Sequence, residues 1–279
     1  MKRVLLVLIL IVGQGLFFQS IFAQEIKAIS FNIRNSNAPR EDGEYAWPYR
    51  INAVCNMIET EKPDLIGMQE PLLNQLTDID KRLYRKYQRV GCARDNGITR
   101  GEFCAIYYNI DRLDLIWQRT RWLSTTPSNP SRGWDAACMR IVTMAHFVEK
   151  STGKSIYYVN THLDHVGSTA RAESIRLIAG FIKKYIPDGA AVIVGGDMNL
   201  DSDNRVFEPL RGLGFDSARD IAPRTDFKNT FNGFGKFQPS MVDHFFIRNI
   251  QPSIFKTLKK KYGIKYISDH YPIEIIFSL

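Results

Sequence analysis

Ala190-Ala191-Val192-Ile193-Val194-Gly195-Gly196-Asp197-Met198-Asn199 opens as a run of small and β-branched residues and closes on glycines, an acid and an amide. Such a run reads as a buried strand over Ala190 to Val194 whose C-terminal end opens into a loop, the usual place for chemistry in an α/β sheet. Gly-Asp-x-Asn also occurs in ordinary turns, because Asp and Asn bond their own backbone and Gly supplies positive φ. The neighbouring motifs decide between the two. Ile29-Ser30-Phe31-Asn32, Leu65-Ile66-Gly67-Met68-Gln69-Glu70, Tyr157-Tyr158-Val159-Asn160-Thr161-His162 and Met241-Val242-Asp243-His244 all join apolar residues to a polar group suited to a metal or a phosphate. Ser268-Asp269-His270-Tyr271-Pro272 does so just before a strand, Ile273 to Phe277. Segments this far apart meet only if a sheet gathers their ends.

The set answers the needs of phosphate ester cleavage. A hard divalent cation takes oxygen ligands, and Glu70, Asp269 and the amide of Asn32 supply them. Asp197 is the candidate general base for an attacking water, with Asn199 positioning water or phosphate. The transition-state oxygens need donors, which His162 and His270 provide best when a carboxylate orients the ring and favours its charged form. Asp243 is the partner chosen for His270.

In order and wording these motifs resemble the endonuclease/exonuclease/phosphatase superfamily, which includes pancreatic-type deoxyribonuclease, bacterial sphingomyelinase, inositol polyphosphate 5-phosphatases and poly(A) deadenylases. The resemblance runs from about Ile26 to the C-terminus. It implies that Asn32, Glu70 and Asp269 form the metal site, that Asp197 and Asn199 lie at the attacking water, that His162 and His270 contact the scissile phosphate, and that Asp243 orients His270. It further implies that Glu102 pairs with His162 and that Arg140 contacts phosphate; a solvating strand-edge acid and a surface arginine are the alternatives. The chain departs from abasic-site endonuclease, in which the position matching His162 carries no histidine.

Strands are expected near Ile26 to Ile33, Asp64 to Met68, Phe103 to Tyr108, Leu113 to Trp122, Arg140 to Glu149, Ser155 to Asn160, Ala190 to Val194, Met241 to Arg248 and Ile273 to Phe277. Helices fit Tyr49 to Glu61, Pro71 to Leu83, Ala170 to Tyr185 and Arg205 to Leu213. Single helices alternating with pairs of strands suggest two sheets packed face to face with helices outside. This agrees with the four-layer α/β sandwich of the resembled family, two mostly antiparallel sheets flanked by helices.

Two loops are candidates for specificity. Arg34 to Arg50 is long and would lie beside the metal, and Ser124 to Ala137 carries Arg132 and Trp134. Arg132, Trp134, Asp164 and His165 are taken as leaving-group contacts. The alternatives are that Trp134 only pins its loop and that Asp164 and His165 form an internally bonded turn.

Met1-Lys2-Arg3, an apolar core over Val4 to Val12 and Ile21-Phe22-Ala23 read as a secretory signal peptide over residues 1–23, an uncleaved anchor being the alternative. Residues 24–279 then form one catalytic domain, exported to the periplasm or beyond. The net charge of +8 favours an anionic substrate without requiring one. Lys256 to Lys261, the densest basic run, reads as a solvated hairpin edge. No nucleic-acid module is recognisable, so charge permits DNA or RNA without supporting it. No exposed aromatic hairpin of the sphingomyelinase kind is evident, although Phe231 to Phe237 is rich in aromatics and glycine. Cys55, Cys92, Cys104 and Cys138 match no zinc spacing, and export would allow disulfides among them. The expectation is a monomeric phosphoester hydrolase using Mg²⁺, or Mn²⁺, with phosphodiesters favoured. An extracellular nuclease, a phosphomonoesterase, a sphingomyelinase-like lipid phosphodiesterase and a non-catalytic phosphate-binding module remain as alternatives.

Overall fold

A computed structural model describes residues 25–279, so the signal segment expected over residues 1–23 lies outside the described residues. The first sheet is built from β1 (Glu25–Asn32), β2 (Leu65–Gln69), β3 (Tyr87–Val90), β4 (Cys104–Asn109), β11 (Gln251–Thr257) and β12 (Ile273–Ser278), in spatial order β11-β12-β1-β2-β4-β3. The second contains β5 (Leu113–Trp122), β6 (Ile141–Glu149), β7 (Ser155–His162), β8 (Ala191–Asp197), β9 (Asp216–Ser217) and β10 (Asp243–Arg248), in order β5-β6-β7-β8-β10-β9. One parallel pair sits in each sheet, β1 with β2 and β7 with β8, and every other pairing is antiparallel. A parallel pair needs a crossover, which α2 (Trp47–Glu61) and α4 (Ser168–Tyr185) provide. The remaining helices are α1 (Pro39–Asp42), α3 (Leu73–Leu83), α5 (Glu208–Arg211) and α6 (Ala218–Ile221).

The apolar side chains sort into layers. Ile29, Phe31 and Ile33 pack with Ile66 and Met68 against α2 and α3. Ile26 and Ala28, the alternate residues of β1, face the opposite sheet and meet Ile156, Tyr158, Ile193 and Phe245. Val159, Val192 and Val194 pack against Ile175, Ile178 and Ile182 of α4. Both sheets are therefore buried on two faces, which is why their central strands read as nearly continuous apolar runs. Four layers, helices on two packed sheets, agree with the expected sandwich.

Three strands escape the sequence reading: β3, β9 and β11. The basic run from Lys256 begins in β11, where Lys256 pairs with Glu274 of β12 at 2.9 Å, consistent with a hairpin edge. The helix expected over Arg205 to Leu213 breaks into a 3₁₀ turn, Arg205–Phe207, and α5, because Pro209 lacks an N–H and can only stand near a helix start. All four cysteines are free thiols, and Cys55 and Cys104 are buried. Among the described residues no helix is long and apolar enough to cross a membrane.

Candidate active site

The strand ends bring the polar groups together at one mouth of the sandwich. Beneath it the layer between the sheets turns polar. Gln69 Nε2 donates to Asn160 Oδ1 at 2.7 Å, and Asn160 Nδ2 donates to the carbonyls of Met68 and Ala105. A Cβ at Gly67 would stand 2.5 Å from the Tyr158 hydroxyl, so only glycine admits that ring between the sheets. These bonds lock the two strand ends that carry Glu70 and His162.

Asp197 is the hub. Its Oδ2 accepts from Asn32 Nδ2 at 3.0 Å and lies 3.5 Å from His162 Nε2 and 3.7 Å from His270 Nε2. Its Oδ1 accepts the Asn199 N–H. His270 Nδ1 donates to Asp243 Oδ2 at 2.8 Å, so the expected pair forms. Burial opposes charge on His270, but Asp243 and then Asp197 outweigh it and hold its pKa well above the ordinary histidine value. The donor atoms of Asp197, Asp243 and His270 all lie within 4.8 Å of one another, and the imidazolium itself supplies the positive charge there. Burial raises the Asp197 carboxyl above the usual carboxylate range, the His270 charge opposing and the Asp243 charge adding to the rise.

Glu70 is the second centre. Its oxygens accept from Asn32 Nδ2 at 3.0 Å and from both nitrogens of Asn35 at 2.9 Å. Burial opposes its ionisation, yet these bonds keep its pKa low. Asp269 faces it: burial raises that carboxyl, and the Glu70 charge adds to the rise although His270 opposes it. Arg34 stands beside them, bonded to Asp42 and 3.9 Å from Asp269 Oδ2. Two neighbouring carboxylates, one already destabilised by the other, are a hard-oxygen donor set that fits a divalent cation. Asn32 also braces the site: its amide oxygen accepts the Arg34 N–H, and its nitrogen bonds both Glu70 and Asp197.

His162 and Glu102 do not pair. Glu102 bonds Arg94 and accepts from Asn35 Nδ2, while His162 Nδ1 has no partner. Asn199 Nδ2 donates to the Leu163 carbonyl and to His162 Nε2, which makes that nitrogen an acceptor and the ring neutral. Burial and the Arg140 charge push the His162 pKa well below its ordinary value. The expected charged donor is thus His270 alone. The reason is Arg94, a stronger partner for the carboxylate than a buried imidazole, and the sequence reading passed it over.

A cavity of about 750 Å³ opens above these groups, within the range of small-molecule sites. Glu70, Glu102, Arg140, His162, His165, Asp197, Asn199, Asp269 and His270 line it. Three expected leaving-group contacts do not. Asp164 is buried and accepts the N–H groups of Ala137, Val166 and Gly167 while holding Arg140, so it is the internally bonded turn. Arg132 and Trp134 are exposed and stand outside the lining. Residues not singled out from sequence complete it: Arg94, and a wall of Phe231, Phe234 and Phe237. Arg34, Asn35, Glu41 and Asp42 confirm that the loop after Asn32 shapes the cleft.

The sequence profile of the Endonuclease/Exonuclease/phosphatase family matches residues 29–270. A solved endonuclease/exonuclease/phosphatase from Bacteroides vulgatus superposes with a TM-score of 0.86 at 32% identity, over 92% of this chain and 99% of that one. A mannosyl-6-phosphatase from Bacteroides thetaiotaomicron superposes with a TM-score of 0.84 at 29% identity, over 91% and 100%. An uncharacterized protein of Acanthamoeba polyphaga mimivirus is 30% identical over 270 residues, 91% of this chain and 100% of its own length.

Proposed function

The chain belongs to the endonuclease/exonuclease/phosphatase family, whose members are hydrolases of phosphoester bonds, and from that premise we propose that it is a divalent-metal-dependent hydrolase of small phosphoesters, exported by way of the signal segment read over residues 1–23. The observation that carries this reading is Asp197: a buried carboxylate of raised pKa, held by Asn32 and facing two histidines on the floor of the cavity. A raised pKa makes a better base, and a positioned base contributes about 10²–10⁴ in rate. Water at Asp197 gives its proton to Oδ2 as its oxygen attacks phosphorus in line, and the bond to the leaving oxygen breaks. His270, held charged by Asp243, donates to a phosphoryl oxygen. Asn199, fixed by Leu163 and by the Asp197 side chain, holds His162 as an acceptor beside the same oxygen of Asp197. A cation between Glu70 and Asp269, Mg²⁺ or Mn²⁺, would neutralise phosphoryl and leaving oxygens when bound.

Sequence favoured phosphodiesters; a second reading within this class, phosphomonoesterase, is supported by the bounded cavity and by the likeness to a mannosyl-6-phosphatase over 91% of the chain. A nuclease would instead show steep loss of activity with salt. The test compares p-nitrophenyl phosphate with bis-(p-nitrophenyl) phosphate on residues 24–279, with Mg²⁺, with Mn²⁺ and with chelator. Metal-dependent turnover lost in Asp197→Asn supports the reading, and the preferred ester separates monoesterase from diesterase. Turnover that survives chelation or Asp197→Asn overturns it.

A further inference from the structure

Glu102 is left without a catalytic role, yet it lines the cavity, and its surroundings resemble a device for reading hydroxyls. Its Oε1 accepts from Asn35 Nδ2 at 3.2 Å and its Oε2 from Arg94 Nη1. A carboxylate has about four acceptor positions, so roughly two remain for a ligand. Arg94 adds a donor: among the described residues its Nη2 makes no hydrogen bond, while its buried Nε stands 3.6 Å from Asp95 Oδ1. Acceptors and donors held side by side suit two adjacent hydroxyls, each of which both donates and accepts. Asn35 Nδ2 also donates to Glu70, so this pair stands one amide away from the carboxylate expected to hold the cation. Across the cavity runs the aromatic wall. Phe231 stands edge-on to His270 with ring centroids 5.1 Å apart, and Phe237 is 67% exposed.

Resting on the hydrolase reading above, we propose that Glu102, Arg94 and Asn35 form a subsite for a vicinal diol of the leaving group, so that the substrate is a phosphate ester of a sugar or other polyhydroxy alcohol. The carbon face of the alcohol packs on Phe231 and Phe237, while its hydroxyls meet the carboxylate and guanidinium.

The test measures kcat and KM of the full mature chain with Mg²⁺ on hexose 6-phosphate, n-hexyl phosphate, adenosine 5′-monophosphate and p-nitrophenyl phosphate. The expected result is at least tenfold higher kcat/KM for hexose phosphate than for hexyl phosphate. Glu102→Gln and Arg94→Gln should each cut that ratio about tenfold, chiefly through KM, and free hexose should inhibit p-nitrophenyl phosphate turnover in the wild type but not in Glu102→Gln. A ratio changed less than twofold in both variants, or a preference for the hexyl ester or the nucleotide, overturns the subsite while leaving hydrolase activity intact. Absence of metal-dependent turnover on all four esters overturns the hydrolase reading instead.

Discussion

Arg50 is the most informative residue to remove, because it ties the site together without touching it. Its guanidinium is fully buried and donates to four backbone carbonyls, those of Ile33, Arg34, Tyr45 and Ile267. These lie just after β1, in the loop that shapes the cleft and two residues before Asp269. Burial lowers its pKa to about 10, against the opposing charges of Asp269 and Asp42, so it remains charged at neutral pH. Arg50→Met keeps most of the apolar stem and deletes every donor. Ile33 and Ile267 are buried, and a buried acceptor left unpaired costs about 1–3 kcal/mol. The carbonyls of Arg34 and Tyr45 belong to half-buried residues that water can reach, so the loss should be about 3–5 kcal/mol. For a domain of this size that is about 6–20 °C in Tm, read by far-UV circular dichroism. Slack in the segments bearing Arg34 and Asp269 should also lower kcat by at least about tenfold well below the melting range, since misplacement of about 1 Å costs up to 10²-fold. A variant melting within about 2 °C of wild type with full turnover would refute the strap, because the cost of unpaired carbonyls alone exceeds that shift.

The other predictions bear on the site and its supports. Asp243→Asn keeps the shape but removes the charge that holds His270, and kcat should fall about 10²–10³-fold with folding intact, the range seen when one transition-state donor is lost; stopped-time assays and circular dichroism check it, and unchanged kcat would remove His270 as the donor. Mg²⁺ at about 100 times its Kd should stabilise the protein by about 2.7 kcal/mol, and Glu70→Gln should abolish the accompanying rise in Tm. Asp164→Asn should destabilise at pH 7. Although burial opposes its ionisation, bonds from Gly167, Ala137 and Val166 and the Arg140 charge depress the Asp164 pKa. A depressed pKa contributes stability present above the unfolded value of about 3.9 and lost as pH falls through the lower folded one, so the two proteins should converge in urea melts only in strong acid.

Most of the catalytic cluster was readable because it sits at strand ends, where an apolar run stopping at a polar group is visible in one dimension. What failed was pairing across loops. Glu102 was matched to His162, but Arg94, eight residues before it in a stretch with neither helical nor strand periodicity, claims the carboxylate. Asp164 looked like a cleft residue because it follows His162, and Trp134 because it sits in the polar loop Ser124 to Ala137. Asp164 turns inward because three backbone N–H groups converge on it, and Trp134 turns outward at a φ of 45°. The aromatic wall was seen as composition only, since its shape depends on positive φ at Gly233, Phe234 and Gly235. Strands β9 and β11 escaped for simpler reasons, one being two residues long and the other carrying Pro252 at the sheet edge.

The alternation of each strand shows why the site lies where it does. On β1 the residues facing the other sheet are Ile26, Ala28, Ser30 and Asn32, and on β7 they are Ile156, Tyr158, Asn160 and His162. On β8 the same phase reads Ile193, Gly195, Asp197, and on β10, running the opposite way, Ile247, Phe245, Asp243. Each series is apolar at one end and polar at the other, so a single inter-sheet layer is core at its base and chemistry at its mouth. A side chain on this phase needs no special backbone. Glu70 and Asn199 fall outside it, each beyond the end of its strand, and both adopt positive φ, 69° and 51°, which swings them into the cavity. Environment then separates two carboxylates that composition cannot distinguish. Glu70 receives three N–H donors and stays ionised to face a cation, whereas Asp197 receives two, lies beside Asp243 and has its pKa raised, as a base requires.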